Sequence, residues 1–286
     1  MATLVCFHAH PDDEAIATGG TMALAADAGH DVVLVLGTRG ELGEPVPGVL
    51  ADGEQLWERR VVETHEAARR LGVERVEFLG YEDSGMMGEP TNDNEGCFWR
   101  ADLEEASDRL AALLREVDAD VLTIYDDHGG YGHPDHIQVH RVGVRAAEKA
   151  GVTAVYQSTM NRDHIRRSME ARSEEFGRDL ADAAEGVVEG EEMAGGLTVE
   201  ETDRMRRATE EEFGSPEALI THAVDVAGVI GRKRSAMQAH ESQIAPDSFF
   251  LAMPDDAFVT AFGTEWYIAL GVVRAEGEPF APTILP

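Results

Sequence analysis

The chain has 286 residues, 43% hydrophobic and 28% charged, which suits one large α/β domain or two small ones. Its 24 basic against 55 acidic residues leave a net charge of −31, a surface that repels phosphate backbones and anionic lipid and so excludes nucleic acid as a partner. No apolar run is long enough for membrane insertion, and the first residues lack the basic-then-apolar pattern of a signal peptide. The two cysteines, Cys6 and Cys97, cannot form a disulfide framework or an all-cysteine zinc site, so a cytoplasmic location is expected.

The first 160 residues alternate strand and helix patterns. Residues 3–8 read as a strand and 14–28 as a helix stopped at Gly29. Residues 31–37 are a near-continuous apolar strand. An amphipathic helix over 54–71 ends at Gly72. Strands at 75–79 and 120–125 bracket a helix over 101–117. A further helix opens near Pro134, and 153–158 make a fifth strand. This period predicts βαβ units in an α/β, Rossmann-like, doubly wound and mainly parallel sheet, for which the order 3-2-1-4-5 is expected.

That catalytic core spans 1–160. Residues 161–215 are charged and helical in pattern, with an acidic, Gly-containing middle at 185–196, and read as an insertion or lid. Residues 216–286 complete the same domain. They hold an apolar stretch at 218–231, a helix from about Arg232 to His240, and a short strand or two in FFLAMP and EWYIALGVV.

The chemistry concentrates where two strands end. HAHPDDE (8–14) follows the first strand, and DDHGGYGHPDH (126–136) follows the fourth. In an open parallel sheet, ligands sit beyond the carboxyl ends of strands where strand order reverses. Order 3-2-1-4-5 makes strands one and four neighbours at that point, so both segments converge on one crevice. His and Asp together are good ligands for a borderline divalent cation such as zinc. Adjacent Asp12 and Asp13 allow one carboxylate to bind metal while the other acts as a base. His133 and His136 share a helix face if Pro134 opens that helix. Tyr131 sits within a glycine loop beside them. No G-x-G-x-x-G turn follows strand one, which argues against a dinucleotide site.

AHPDDE (9–14) and HPDH (133–136) resemble the paired signature of the LmbE-like, or PIG-L, zinc-dependent N-deacetylases. GGYGHPDH (129–136) is similar to the mycothiol-pathway branch, which deacetylates N-acetylglucosaminyl-inositol or cleaves mycothiol S-conjugates. RVVE (60–63), DSGM (83–86), Lys233 and AHESQI (239–244) extend the resemblance. It implies His10, Asp13 and His136 as ligands of Zn2+, with Fe2+ as the alternative metal, and Asp12 as general base. It implies His133, protonated or hydrogen-bonding, at the oxyanion, with Asp135 orienting its ring. Tyr131 is then a mobile loop residue that assists the intermediate, and Arg60 and Asp83 contact sugar or inositol hydroxyls. Glu14 braces the ligand turn, and His8 is a possible support behind His10.

The expected activity is metal-dependent removal of an N-acetyl group from a GlcNAc-type glycoside, a small-molecule sugar or glycoconjugate. The alternatives are a mycothiol S-conjugate amidase and, more remotely, a non-catalytic metal- or sugar-binding protein. By the resemblance, conjugate amidases carry a lysine soon after the first motif and Pro where Gly132 stands. Ala17, Thr18 and Gly132 depart from that pattern and favour the acetyl sugar.

Overall fold

Strand β1 (Thr3–His8) is apolar on both faces because helices cover both sides of the sheet. Leu4 and Cys6 pack into one core cluster and Val5 and Phe7 into the other, as a period of two demands. The computed structural model describes residues 1–170 and 213–286. After β1 come α1 (Asp13–Ala17), α2 (Gly19–Asp27), β2 (Asp31–Leu36), α3 (Leu56–Leu71) and β3 (Arg75–Phe78). Then follow α4 (Leu103–Glu116), β4 (Val121–Tyr125), the single turn α5 (Gly129–Gly132), α6 (Pro134–Ala150) and β5 (Ala154–Thr159). The last part contributes β6 (His222–Asp225), α7 (Ile230–Ala239), α8 (Asp255–Phe262) and β7 (Thr264–Ala269).

The seven strands run in the order β3-β2-β1-β4-β5-β7-β6. The first five are parallel in the expected 3-2-1-4-5 order. The sheet then continues through two antiparallel pairs, β5 with β7 and β7 with β6. Among the described residues, no helix is long and apolar enough to cross a membrane.

Three expectations need correction. The helix read over 14–28 is two helices, broken at Thr18 (φ −133°, ψ 7°). Thr18 Oγ1 lies 2.8 Å from His8 Nε2, and the amides that open α2, Gly20 and Thr21, donate to the Glu265 carboxylate at 2.7 and 2.8 Å. A buried Lys233 Nζ lies 2.6 Å from the same carboxylate. A partner far along the chain thus supplies a second helix start, which local pattern does not reveal. FFLAMP forms turns, since the Arg234 guanidinium takes the carbonyls of Leu251 and Met253 at 2.8 and 2.5 Å. The late helix starts at Ile230 and ends at Ala239. Residues 171–212, most of the 161–215 segment expected as an insertion or lid and including its acidic middle at 185–196, lie outside the described residues.

Candidate active site

The ligand turn leaves β1 at His8 and enters α1 at Asp13, so His10, Asp12 and Asp13 stand at the carboxyl end of the sheet. Strand β4 is hydrogen-bonded beside β1 and leads into α5 and α6. His133 caps α6, Pro134 occupies its first turn, and Asp135 and His136 follow. The two segments therefore meet at the switch point between β1 and β4.

Asp13 Oδ2 lies 3.4 Å from His10 Nδ1 and 3.3 Å from His136 Nε2. Ligand atoms bonded to one tetrahedral ion at about 2.0–2.1 Å stand about 3.3 Å apart, so these two separations suit a shared divalent cation, and His10 and His136 bring ring nitrogens within 4.8 Å of each other. On the other side of the ring, His10 Nε2 lies 3.1 Å from Asp135 Oδ2. With its one proton on Nε2, a neutral His10 ring would leave the Nδ1 lone pair free for a cation. Asp135 is held in turn by the backbone N–H of Ser84 at 2.9 Å and by the Ser84 hydroxyl. Tyr125 stacks on His136 with ring centroids 4.3 Å apart, and its hydroxyl lies 2.8 Å from His8 Nδ1. His8 thus supports the site from behind and spends both ring nitrogens, on Tyr125 and Thr18.

His133 brings a ring nitrogen within 4.8 Å of those of His10 and His136. Its Nδ1 accepts the backbone N–H of Asp135 at 3.2 Å, so a neutral His133 ring carries its proton on Nε2. Burial, and then the nearby His10 and His136 imidazoles, push its pKa down to about 4. Of the two roles expected for His133, this favours the neutral hydrogen-bond donor. The way its ring is oriented differs from expectation. The Asp135 backbone orients His133, as the first amides of a helix seek acceptors, while the Asp135 carboxylate serves His10.

Burial opposes protonation of His10, but hydrogen bonds with Asp13, Asp135 and Asp83 outweigh it and hold its pKa well above the ordinary value. Asp13 is also buried, yet the charge of His136 and hydrogen bonds from His10 and His136 hold its pKa well below the usual carboxylate range. Asp12 behaves oppositely. Burial raises its pKa to about 6, against the lowering influence of Arg60.

Arg60 and Asp83, expected at substrate hydroxyls, lie inside this cluster. Arg60 donates to the carbonyls of Gly40 and Pro11, and its Nη2 reaches Asp12 Oδ2 at 3.3 Å. Gly40 makes room: at φ +67°, a Cβ there would stand 2.2 Å from Arg60 Nη1. Glu63, three residues on in α3, accepts from the backbone and hydroxyl of Ser242. Asp83 Oδ1 lies 3.6 Å from His10 Nε2 and accepts the Gly85 N–H at 2.9 Å. Tyr131 is 44% exposed, with its hydroxyl 3.5 Å from His136 Nε2. Its turn is tied down by buried Asp126, which accepts the Gly130 N–H at 2.6 Å.

Several supporting residues escaped the sequence reading: Tyr125, Asp126, Ser84 and His240. Ser84 and His240 fall within the matched strings DSGM and AHESQI, yet nothing in those strings shows what they touch. His240 Nε2 lies 2.6 Å from Glu14 Oε1, and both side chains are fully buried.

Comparison with known proteins agrees with the motifs. The family model for PIG-L, GlcNAc-PI de-N-acetylase, matches residues 5–147. The 1D-myo-inositol 2-acetamido-2-deoxy-α-D-glucopyranoside deacetylase of Acidothermus cellulolyticus is 40% identical over 281 residues, covering 94% of this chain and 89% of that protein. The N,N'-diacetylchitobiose deacetylase of Pyrococcus horikoshii shares the fold at TM-score 0.54 and 20% identity, over 93% of this chain and 82% of that one. A 4-carboxy-2-hydroxymuconate hydratase from Pseudomonas putida KT2440 is similar at TM-score 0.55 and 18% identity, over 98% and 100%. One fold thus carries different reactions, and the site residues must argue the chemistry. With the family model spanning half of it and a curated relative 40% identical over 94% of it, this chain belongs to the PIG-L (GlcNAc-PI de-N-acetylase) family.

Proposed function

We propose that the protein is a metal-dependent N-deacetylase that removes the acetyl group from a GlcNAc-type glycoside, N-acetylglucosaminyl-inositol in particular. The metal is zinc in this reading, with ferrous iron as the alternative, and the ligands are His10, Asp13 and His136. The observation that carries it is the division of labour between adjacent carboxylates. Asp13 faces two imidazoles, while Asp12 faces Arg60 with a pKa raised to about 6. The name of the 40%-identical relative supports the choice of substrate. Two free, buried cysteines fit a reducing, cytoplasmic setting.

When bound, the cation supplies Lewis-acid polarisation of the acetyl carbonyl and a lowered pKa for water. Asp12, ionised at neutral pH, takes a proton from the attacking water. Its raised pKa then suits it to pass that proton to the departing amine. His133 is too weak a base to be protonated at pH 7, so it serves as an Nε2–H donor to the developing oxyanion. Tyr131 is the second donor; each such donor is typically worth roughly 3–4 kcal/mol. Arg60 and Asp83 offer hydrogen bonds to the sugar or inositol hydroxyls. Arg60 also holds Asp12 in place.

The test measures acetate release from N-acetylglucosaminyl-inositol beside amide cleavage of a bimane S-conjugate, using zinc-loaded protein. Acetate release with little conjugate cleavage supports the reading. The reverse pattern makes the protein a conjugate amidase. Metal uptake without turnover on either substrate leaves a non-catalytic binding protein.

A further inference from the structure

Asp12 has φ 88° and ψ −33°, a backbone conformation that L-residues rarely adopt. It separates two consecutive side chains, sending Asp13 to the imidazoles of His10 and His136 and Asp12 to Arg60. Such strain persists only where the surroundings over-determine it. The restraint here is specific. The Asp12 N–H donates to Glu14 Oε2 at 2.9 Å, and the other oxygen of Glu14 lies 2.6 Å from His240 Nε2. Glu14 and His240 are fully buried, and His240 stands at the end of α7. Neither side chain has a place in the chemistry described above.

We propose that His240 and Glu14 are a positioning pair for the base. His240 fixes Glu14, and Glu14 pins the Asp12 peptide in its positive-φ conformation, so that ligand and base can be neighbours in sequence yet point apart. This rests on the reading of Asp12 as the base. It extends that reading to His240, whose side-chain partner is Glu14 rather than His10, Asp13 or His136.

The experiment compares Glu14→Ala, Glu14→Gln and Glu14→Asp with wild type, and His240→Ala with His240→Gln, all as metal-loaded full-length protein. Displacing a catalytic group by about 1 Å costs about 100-fold in rate. Glu14→Ala is therefore expected to lose about 100-fold in kcat, with KM within about threefold and metal content retained. Glu14→Gln keeps an acceptor for the Asp12 N–H and is expected to recover most of that loss. His240→Gln keeps an N–H donor for Glu14 and should likewise outperform His240→Ala. If Glu14→Ala does not fold, Glu14→Asp carries the test: it keeps the charge but is one methylene too short to bridge, and it should lose kcat as alanine would. Crystal structures give an independent readout, with Asp12 leaving positive φ in Glu14→Asp and keeping it in Glu14→Gln. Wild-type-like kcat together with positive φ at Asp12 in Glu14→Asp overturns the proposal. So does equal loss of metal and activity in Glu14→Gln and Glu14→Asp, which marks a purely structural pair. Absence of acetate release in wild type defeats the functional reading alone, and the φ of Asp12 in the variants still decides this inference.

Discussion

Asp135 Oδ2 lies 3.1 Å from His10 Nε2, on the opposite side of the ring from the nitrogen that faces Asp13. A carboxylate there fixes the tautomer and raises the basicity of Nδ1. Asp135→Asn is therefore expected to weaken metal binding about 10- to 100-fold without abolishing it. In the proposed site His136→Ala removes one of three ligands, and the purified variant should hold no metal. Elemental analysis after dialysis against graded chelator separates the two. Full metal content in His136→Ala would refute the ligand assignment.

Asp12→Asn should keep its metal and lose about 10²- to 10⁴-fold in kcat, the usual contribution of a general base. In wild type, kcat/KM should rise with pH through about 6, because the base must be ionised and its pKa is raised to about 6. Near-normal turnover in the variant, or an acid limb close to 4, would remove Asp12 from the role.

Stability should also depend on acid, through His8. Burial lowers its pKa from 6.5 to about 4, so the folded protein binds a proton there less readily than the unfolded chain does. Its contribution is complete above pH 6.5 and is lost as pH falls through about 4, roughly 3 kcal/mol over that window. The melting temperature should fall across this range in wild type and fall less in His8→Gln. Parallel curves for the two proteins would exclude His8 as a source of the acid sensitivity.

Gly129 adopts φ +69°, and a Cβ there would stand 2.6 Å from His136 Cβ and 2.8 Å from the Ile137 amide. Gly129→Ala should destabilise by about 1–3 kcal/mol and lower metal occupancy by displacing His136. Gly132 also has positive φ (+88°) but open space around it. Gly132→Ala should cost only about 1 kcal/mol and leave metal content intact. Denaturant titration and elemental analysis of both variants provide the check.

A net charge of −31 makes the folded state repel itself. Raising NaCl from about 0.01 to 1 M shortens the screening length from about 30 to 3 Å, and the melting temperature should climb by several degrees. A flat or falling profile would mean that local ion pairs such as Arg75–Glu116 and Lys149–Asp108 already neutralise the effect.

Much of this was legible before any coordinates. Strand–helix alternation pointed to a parallel sheet, and the order 3-2-1-4-5 assumed for it, which the structure shows, brings His10 and His136 together at the ends of β1 and β4. What escaped depends on side chains from distant segments. Nothing near Thr18 announces a helix break, because the acceptor for the next helix is Glu265. FFLAMP has strand composition, but Arg234 claims its carbonyls. Asp135 looks like a partner for the neighbouring His133, yet its carboxylate turns to His10. His240 is one histidine among eleven, and its importance lies wholly in the buried carboxylate it meets.

The capping of α2 by Glu265 has a consequence for biosynthesis. The carboxylate that anchors the helix behind the ligand turn is translated 245 residues after Gly20, long after that turn. A nascent chain halted before β7 therefore lacks the anchor its opening helix requires. Cation capture should belong to chains that already carry β7, with intermediates stalled before it unable to retain the ion.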